Sequence, residues 1–161
     1  MLRWFDVLRY AKYSNPEPYR RVEKTEDEWR QQLTPAQYHV AREKGTEKAY
    51  RNAYCRSYEP GIYVCIGCGE PLFDSTEKYH AISGWPSFTQ PVTKGVIKYA
   101  FDDSFNMHRI EVMCNVCDCH LGHVFPDGPE PSGLRYCINS ESLNRINNEA
   151  LATSAAANAS L

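Results

Sequence analysis

Two Cys-x-x-Cys pairs, Cys65/Cys68 and Cys114/Cys117, constrain this chain more than any other feature. Each pair offers two thiolates from a tight turn. Together they supply the four sulfur ligands of a tetrahedral zinc ion. Gly67 and Gly69 suit a backbone that must bend around a metal. A full set of four protein ligands leaves no position open for water or substrate, so one structural Zn²⁺ is expected rather than a catalytic one. The pairs are far apart in sequence, so the metal would staple two distant hairpins. A redox Cys-x-x-Cys is the alternative, but no βαβ pattern surrounds either pair. A ligand set drawn from Cys119, His120 or His123 would leave Cys65 and Cys68 unexplained. Seven cysteines is an odd number, and no export signal precedes them, which favours metal plus free thiols over a disulfide framework. A cytoplasmic location is expected on the same ground.

The remaining composition excludes more than it specifies. With 161 residues, the chain is long enough for one domain with its own core. Eighteen basic and twenty acidic residues give a formal charge of −2, with no dense Lys/Arg cluster, so neither nucleic acid nor a membrane surface is an expected partner. No apolar run approaches the ~18 residues of a membrane span.

Local signals then lay out the elements. Residues 1–24 show no clear organisation and read as an N-terminal extension, although Trp4, Phe5, Val7 and Leu8 could dock a short helix before Asn15-Pro16-Glu17-Pro18. Thr25 with Glu28 forms a capping-box signature for a helix to about Leu33. Thr34-Pro35-Ala36-Gln37 opens a second helix that stops near Gly45. From Gly61 the periodicity becomes that of strands: Gly61–Cys65, Gly95–Phe101, Met107–Met113, Val124–Phe125 and Leu134–Asn139. A short C-terminal helix is expected after a Ser140 cap, with Leu143 and Ile146 as its apolar positions. Residues 148–161, small and polar, are expected to be a disordered tail. The fold class is therefore mainly β, in antiparallel strands, with short helices at both ends.

One strand carries a reactive pattern. In Leu134–Asn139 the alternation of a strand puts Leu134, Tyr136 and Ile138 on one side and Arg135, Cys137 and Asn139 on the other. A cation beside a thiol favours thiolate, which is the nucleophile. An ordinary half-buried strand with a small apolar side chain at Cys137 fits the same pattern. His120 and His123 flank Gly122 and can both face one cleft, either as acids near neutral pH or as satisfied structural histidines.

Six segments together resemble one family: Leu33-Thr34-Pro35, Gly45-Thr46-Glu47, Gly84-Trp85-Pro86-Ser87-Phe88, the two Cys-x-x-Cys pairs, His120-Leu121-Gly122-His123-Val124-Phe125-Pro126-Asp127-Gly128, and Arg135-Tyr136-Cys137-Ile138-Asn139-Ser140. They are similar to the methionine-(R)-sulfoxide reductases, the B-type peptide-methionine sulfoxide reductases, over residues 25–147. The resemblance implies two antiparallel sheets in a zinc-stapled "β-tent". It also implies reduction of methionine-(R)-sulfoxide in oxidised proteins and peptides, with thioredoxin or another thiol as reductant.

The family pattern maps onto Cys137 as nucleophile, with His120, His123, Arg135 and Asn139 around it. Trp85 would be the wall for the substrate methyl group and Phe125 a possible second wall. Cys65, Cys68, Cys114 and Cys117 would hold zinc. A monomer is expected. One position departs from the pattern. Many members carry a resolving cysteine just before Gly-Trp-Pro-Ser-Phe, and this chain has Ser83 there. Cys55, in a polar loop before the Gly61 strand, is the first candidate for that role; Cys119 is the second, and direct attack by an external reductant is a third route. Two other classes stay open at this point: a zinc-stapled binding module or chaperone, against which the Arg-x-Cys-x-Asn face speaks, and a peroxidase-like redox sensor, which leaves His120 and Trp85 without a role.

Overall fold

The structure, a computed structural model, describes residues 1–147. The expected tail at 148–161 lies outside the described residues. Three helices, α1 (Trp4–Lys12), α2 (Glu26–Gln32) and α3 (Pro35–Glu43), precede nine strands. The strands are β1 (Ile62–Cys65), β2 (Pro71–Asp74), β3 (Lys78–Tyr79), β4 (Ser87–Phe88), β5 (Ile97–Asp102), β6 (Arg109–Cys114), β7 (His120–Phe125), β8 (Arg135–Ile138) and β9 (Leu143–Ile146). They form two antiparallel sheets: one of three strands in the order β2-β1-β9, and one of six in the order β3-β4-β8-β7-β6-β5.

The helix starts follow from their caps. The Thr34 hydroxyl accepts the Gln37 amide at 3.2 Å while the Gln37 side chain takes the Thr34 amide at 2.9 Å. Thr25 accepts the Glu28 amide in the same way. The C-terminal helix expected from Leu143 and Ile146 is a strand instead. Only Ser140–Ser142 makes a single helical turn, and Leu143–Ile146 then pairs with β1 residue for residue. With just two apolar positions the segment had too little helical face to bury, and the open edge of β1 supplied backbone partners.

Residues 1–24 are docked rather than loose. Val7 is fully buried, Asn15 exchanges two hydrogen bonds with the Tyr99 backbone, and Leu2 exchanges two with the Gln90 side chain. Phe5 and Leu8, which could have docked, point to solvent.

The core lies between the two sheets and is strongly aromatic. Phe73 of β2 stacks on Phe88 of β4 at 4.5 Å and meets Tyr136 of β8 at 5.6 Å; Tyr63 of β1 packs edge-on to Phe88 at 5.0 Å. Such ring pairs add roughly 0.5–1.5 kcal/mol each beyond their burial. The Tyr99 and Tyr136 hydroxyls, buried together, bond each other at 2.7 Å, so neither is left unsatisfied. Leu134, Tyr136 and Ile138 all face this core with no exposure, which leaves Arg135 and Cys137 on the opposite face of the six-stranded sheet.

Candidate active site and metal centre

The four cysteines converge at one end of the two sheets. Cys65 ends β1 and Cys114 ends β6, and each chain then turns back on itself: the Gly69 amide bonds the Cys65 carbonyl, and the Asp118 amide bonds the Cys114 carbonyl. Both turns need a left-handed residue, supplied by Gly69 at φ 79° and by Asp118 at φ 64°. All four Sγ atoms lie within 4.8 Å of one another, with Cys65 to Cys117 at 3.5 Å and Cys68 to Cys114 at 3.6 Å. Tetrahedral thiolates at about 2.3 Å from a metal have edges of about 3.8 Å, so the donor set fits such an ion.

Residues outside the sheets brace the turns. Gln32 bonds the Gly67 carbonyl, Arg42 bonds the Cys117 carbonyl at 2.7 Å, and Arg21 forks onto Asp118. Cys119 is fully buried beside this cluster, with its sulfur 3.7 Å from Arg42 and packed where a Gly67 side chain would be.

The second site is a cavity of about 330 Å³ on the outer face of the six-stranded sheet. Register places its chemistry. Cys137 pairs with Ser87 on one side and His123 on the other, and His123 in turn pairs with Glu111, so these four residues form a row across β4, β8, β7 and β6. His120 and His123 are three apart and would face opposite sides of a regular strand. They share a face because β7 carries an extra residue, Leu121: Gly122 pairs with Val112, and His120 with Met113. Gly122 also permits the close approach of β8, since a Cβ there would meet the Cys137 carbonyl at 2.0 Å.

Each histidine has its own carboxylate. His120 Nδ1 lies 2.7 Å from Glu111, whose other oxygen meets Lys44 at 3.2 Å; its Nε2 is buried with no partner. His123 Nε2 lies 2.7 Å from Asp102, which also faces Arg109 at 3.5 Å. Burial, with help from Arg109 and against the pull of Asp102, pushes the His123 imidazole below the usual histidine range. Asp102, despite its burial cost, is held well below the carboxylate range by bonds from His123 and Ser104. A neutral His123 therefore donates its Nε2 proton to an ionised Asp102. His123 lines the cavity and His120 stands behind it, the rings 5.7 Å apart.

Arg135, Trp85, Phe125 and Asn139 also line the cavity. Trp85 is anchored by its indole N–H on the Glu47 carbonyl at 3.1 Å. The Arg135 guanidinium lies 4.3 Å over the Phe125 ring and forks onto Asp127 at 2.8 and 3.1 Å. The Asn139 amide is committed to the fold: it accepts from the Glu47 amide and donates to the Leu121 carbonyl. Ser83, Thr46 and Arg109 complete the wall. Sequence reading missed Arg109, Asp102 and Glu111, whose membership depends on pairing between strands.

Arg135 favours the Cys137 thiolate as expected, but it does not decide the balance. Burial raises the Cys137 pKa above its usual value, and neither the Arg135 cation nor the Ser83 hydroxyl overcomes that cost. Asp127, paired with Arg135, adds slightly to that cost. The resting group is a thiol at neutral pH. Alkylation of Cys137 by iodoacetamide should accordingly keep accelerating past about pH 8.5, the ordinary cysteine value. A rate that plateaus below pH 7 would contradict this balance. Cys55 is half-buried, and its thiol donates to the Gly84 carbonyl at 3.1 Å.

No helix among the described residues is long and apolar enough to cross a membrane. The SelR domain model matches residues 33–147, most of the chain and all of both sites. A protein of Pseudomonas aeruginosa named peptide methionine sulfoxide reductase MsrB is 53% identical over 129 residues, covering 80% of this chain and 98% of that protein. Proteins of the same name from Cellvibrio japonicus and Chromohalobacter salexigens are each 56% identical, over 115 and 125 residues. They cover 71% and 77% of this chain, and 82% and 94% of their own lengths. With the paired Cys-x-x-Cys turns and the Cys137 cavity inside the matched region, the chain belongs to the SelR-domain family, alongside relatives named MsrB.

Proposed function

We propose that this protein is a peptide-methionine (R)-S-oxide reductase that repairs oxidised methionine in proteins and peptides, with Cys137 as its nucleophile. The observation that carries this reading is the row of Cys137 and His123 in a cavity walled by Trp85 and Phe125, in a chain of this family. The Cys137 sulfur attacks the sulfoxide sulfur, and the oxygen passes to Cys137: thiol plus sulfoxide gives sulfenic acid plus thioether. The attack needs a proton on the departing oxygen. That proton is the one the Cys137 thiol gives up: the His120–His123 pair, each ring oriented by a carboxylate, takes it from sulfur and delivers it to the oxygen. Trp85 and Phe125 receive the methyl end of the side chain, while Arg135 orients the polar end. Asn139 acts as a positioning residue through its two backbone bonds.

Zinc is the metal that four thiolates in this arrangement suit, and its role is structural: the four cysteines would hold it and tie β1 to β6. Cys55 is the favoured resolving thiol. It bonds Gly84, the neighbour of Ser83, whose hydroxyl meets Cys137. Its thiol and the Cys137 sulfenic acid would form a disulfide and release water, and thioredoxin or another cytoplasmic dithiol would return both thiols. Cys119, enclosed beside the metal ligands, is less suited to leave its place. The working unit is a monomer.

A single-turnover experiment with separated epimers tests both statements. The R sulfoxide should be reduced and the S epimer left intact, and peptide mapping of the oxidised enzyme should find a Cys55–Cys137 disulfide. Turnover of S alone would overturn the function. A lasting Cys137 sulfenic acid with Cys55 still alkylatable would overturn only the resolving role.

A further inference from the structure

The chain between α1 and α2 crosses the metal centre. Asn15-Pro16-Glu17-Pro18 opens this stretch, and its two prolines favour an extended run that forms no helix or strand of its own. Its start is tied to β5, where Asn15 exchanges hydrogen bonds with the Tyr99 backbone. It then meets the two cysteine turns in succession. Tyr19 donates to the Glu70 carboxylate at 2.7 Å, and the Arg20 guanidinium meets the same carboxylate at 2.8 and 3.0 Å. Glu70 lies two residues after Cys68, and its side chain keeps only 6% exposure. Arg21 goes to the other turn: it bonds the Asn115 carbonyl at 3.1 Å and forks onto Asp118 at 3.0 and 2.7 Å. The Val22 amide bonds the Val116 carbonyl at 2.9 Å, and the Asn115 side chain donates to the Pro16 carbonyl. Successive side chains of an extended chain point opposite ways, which lets Arg20 and Arg21 reach different turns.

We infer that residues 15–22 are a strap that holds the two cysteine turns together and limits how fast the metal exchanges. The inference rests on the zinc reading above. The Cys65/Cys68 turn belongs to the three-stranded sheet and the Cys114/Cys117 turn to the six-stranded one. A metal held by all four sulfurs leaves only when these turns part, and parting them must break one end of the strap. Among the four cysteines only Cys68 keeps some exposure, and Arg20 stands at that residue, 3.5 Å from its carbonyl. The strap therefore also guards the side on which a competing ligand enters. It lies outside the residues 33–147 matched by the family model, so it is an addition to the shared domain.

Zinc release from the loaded, full-length protein into excess pyridylazoresorcinol, a chromogenic chelator, tests the strap without reference to activity. One variant cuts the first grip, Arg20→Met with Glu70→Gln, so that no buried carboxylate is left unpaired. A second cuts the other grip, Arg21→Met, and a third combines them. Each single cut should speed release about tenfold, the scale of one charge-assisted grip. A bridge is lost when either end goes, so the combined variant should stay within about twofold of the single cuts. Phe88→Leu, in the aromatic core, should lower the melting temperature and keep the wild-type release rate. Wild-type release from either cut protein overturns the inference. So does a combined effect near the product, roughly a hundredfold, which would make the grips separate braces of separate turns. Release from Phe88→Leu as fast as from a cut protein of equal melting temperature overturns it as well, since general loosening would then account for the effect. A wild type that holds no zinc overturns the metal reading, and the strap falls with it.

Discussion

Cys137→Ser is expected to abolish reduction of methionine-(R)-sulfoxide, lowering turnover by more than about a thousandfold, because the residue that makes the covalent bond is removed. The exchange leaves the shape of the site nearly intact. Serine matches the thiol in size, the side chain is only half-buried, and the backbone of β8 stays paired to β4 and β7. Its hydroxyl, however, is a hard and weak nucleophile toward sulfoxide sulfur. Metal content and the melting temperature should therefore match wild type while product formation, followed by chromatography of the two epimers, disappears. Turnover at the wild-type rate would move the nucleophile elsewhere. Loss of activity accompanied by loss of fold would leave Cys137 as packing, the ordinary use of a cysteine in such a strand.

The second large effect concerns the metal. Cys114→Ser should lower bound zinc to a small fraction of one equivalent and reduce the melting temperature by more than about 10 °C. Structural zinc sites bind with about 10–16 kcal/mol in isolated peptides, and that free energy is largely folding free energy. This chain has an aromatic core of its own, so only part of that amount is expected to be lost. Even ~3 kcal/mol would shift a domain of this size by roughly 6–12 °C. The loss should be broad, because Cys65 and Cys114 end strands of different sheets and the turns they start anchor Gln32, Arg42 and Arg21. Elemental analysis with calorimetry on wild type and variant measures both quantities. Wild-type protein purified without zinc or iron, or a variant melting at the wild-type temperature, would end the structural assignment.

What the sequence determined by itself is what short-range chemistry dictates. The hydroxyl caps of α2 and α3 could be read from four residues each. The spacing of two thiols marked a tight turn able to offer both sulfurs to a metal. The period of a strand sorted Leu134, Tyr136 and Ile138 to the core and Arg135 and Cys137 to the other face, which is where they lie. Each of these depends on neighbours within one turn or one strand.

The tertiary structure decided the rest. The segment from Leu143 became a strand because β1 offered an unpaired edge that the sequence does not mark. His120 and His123 came to one face through the bulge at Leu121, which exists only in the register against β6. Asp102, Arg109 and Glu111 joined the site across strands. The protonation of Cys137 turned the same way. Sequence shows the cation two residues away, but the cost of desolvating a thiolate depends on everything packed over it, and here burial outweighs Arg135.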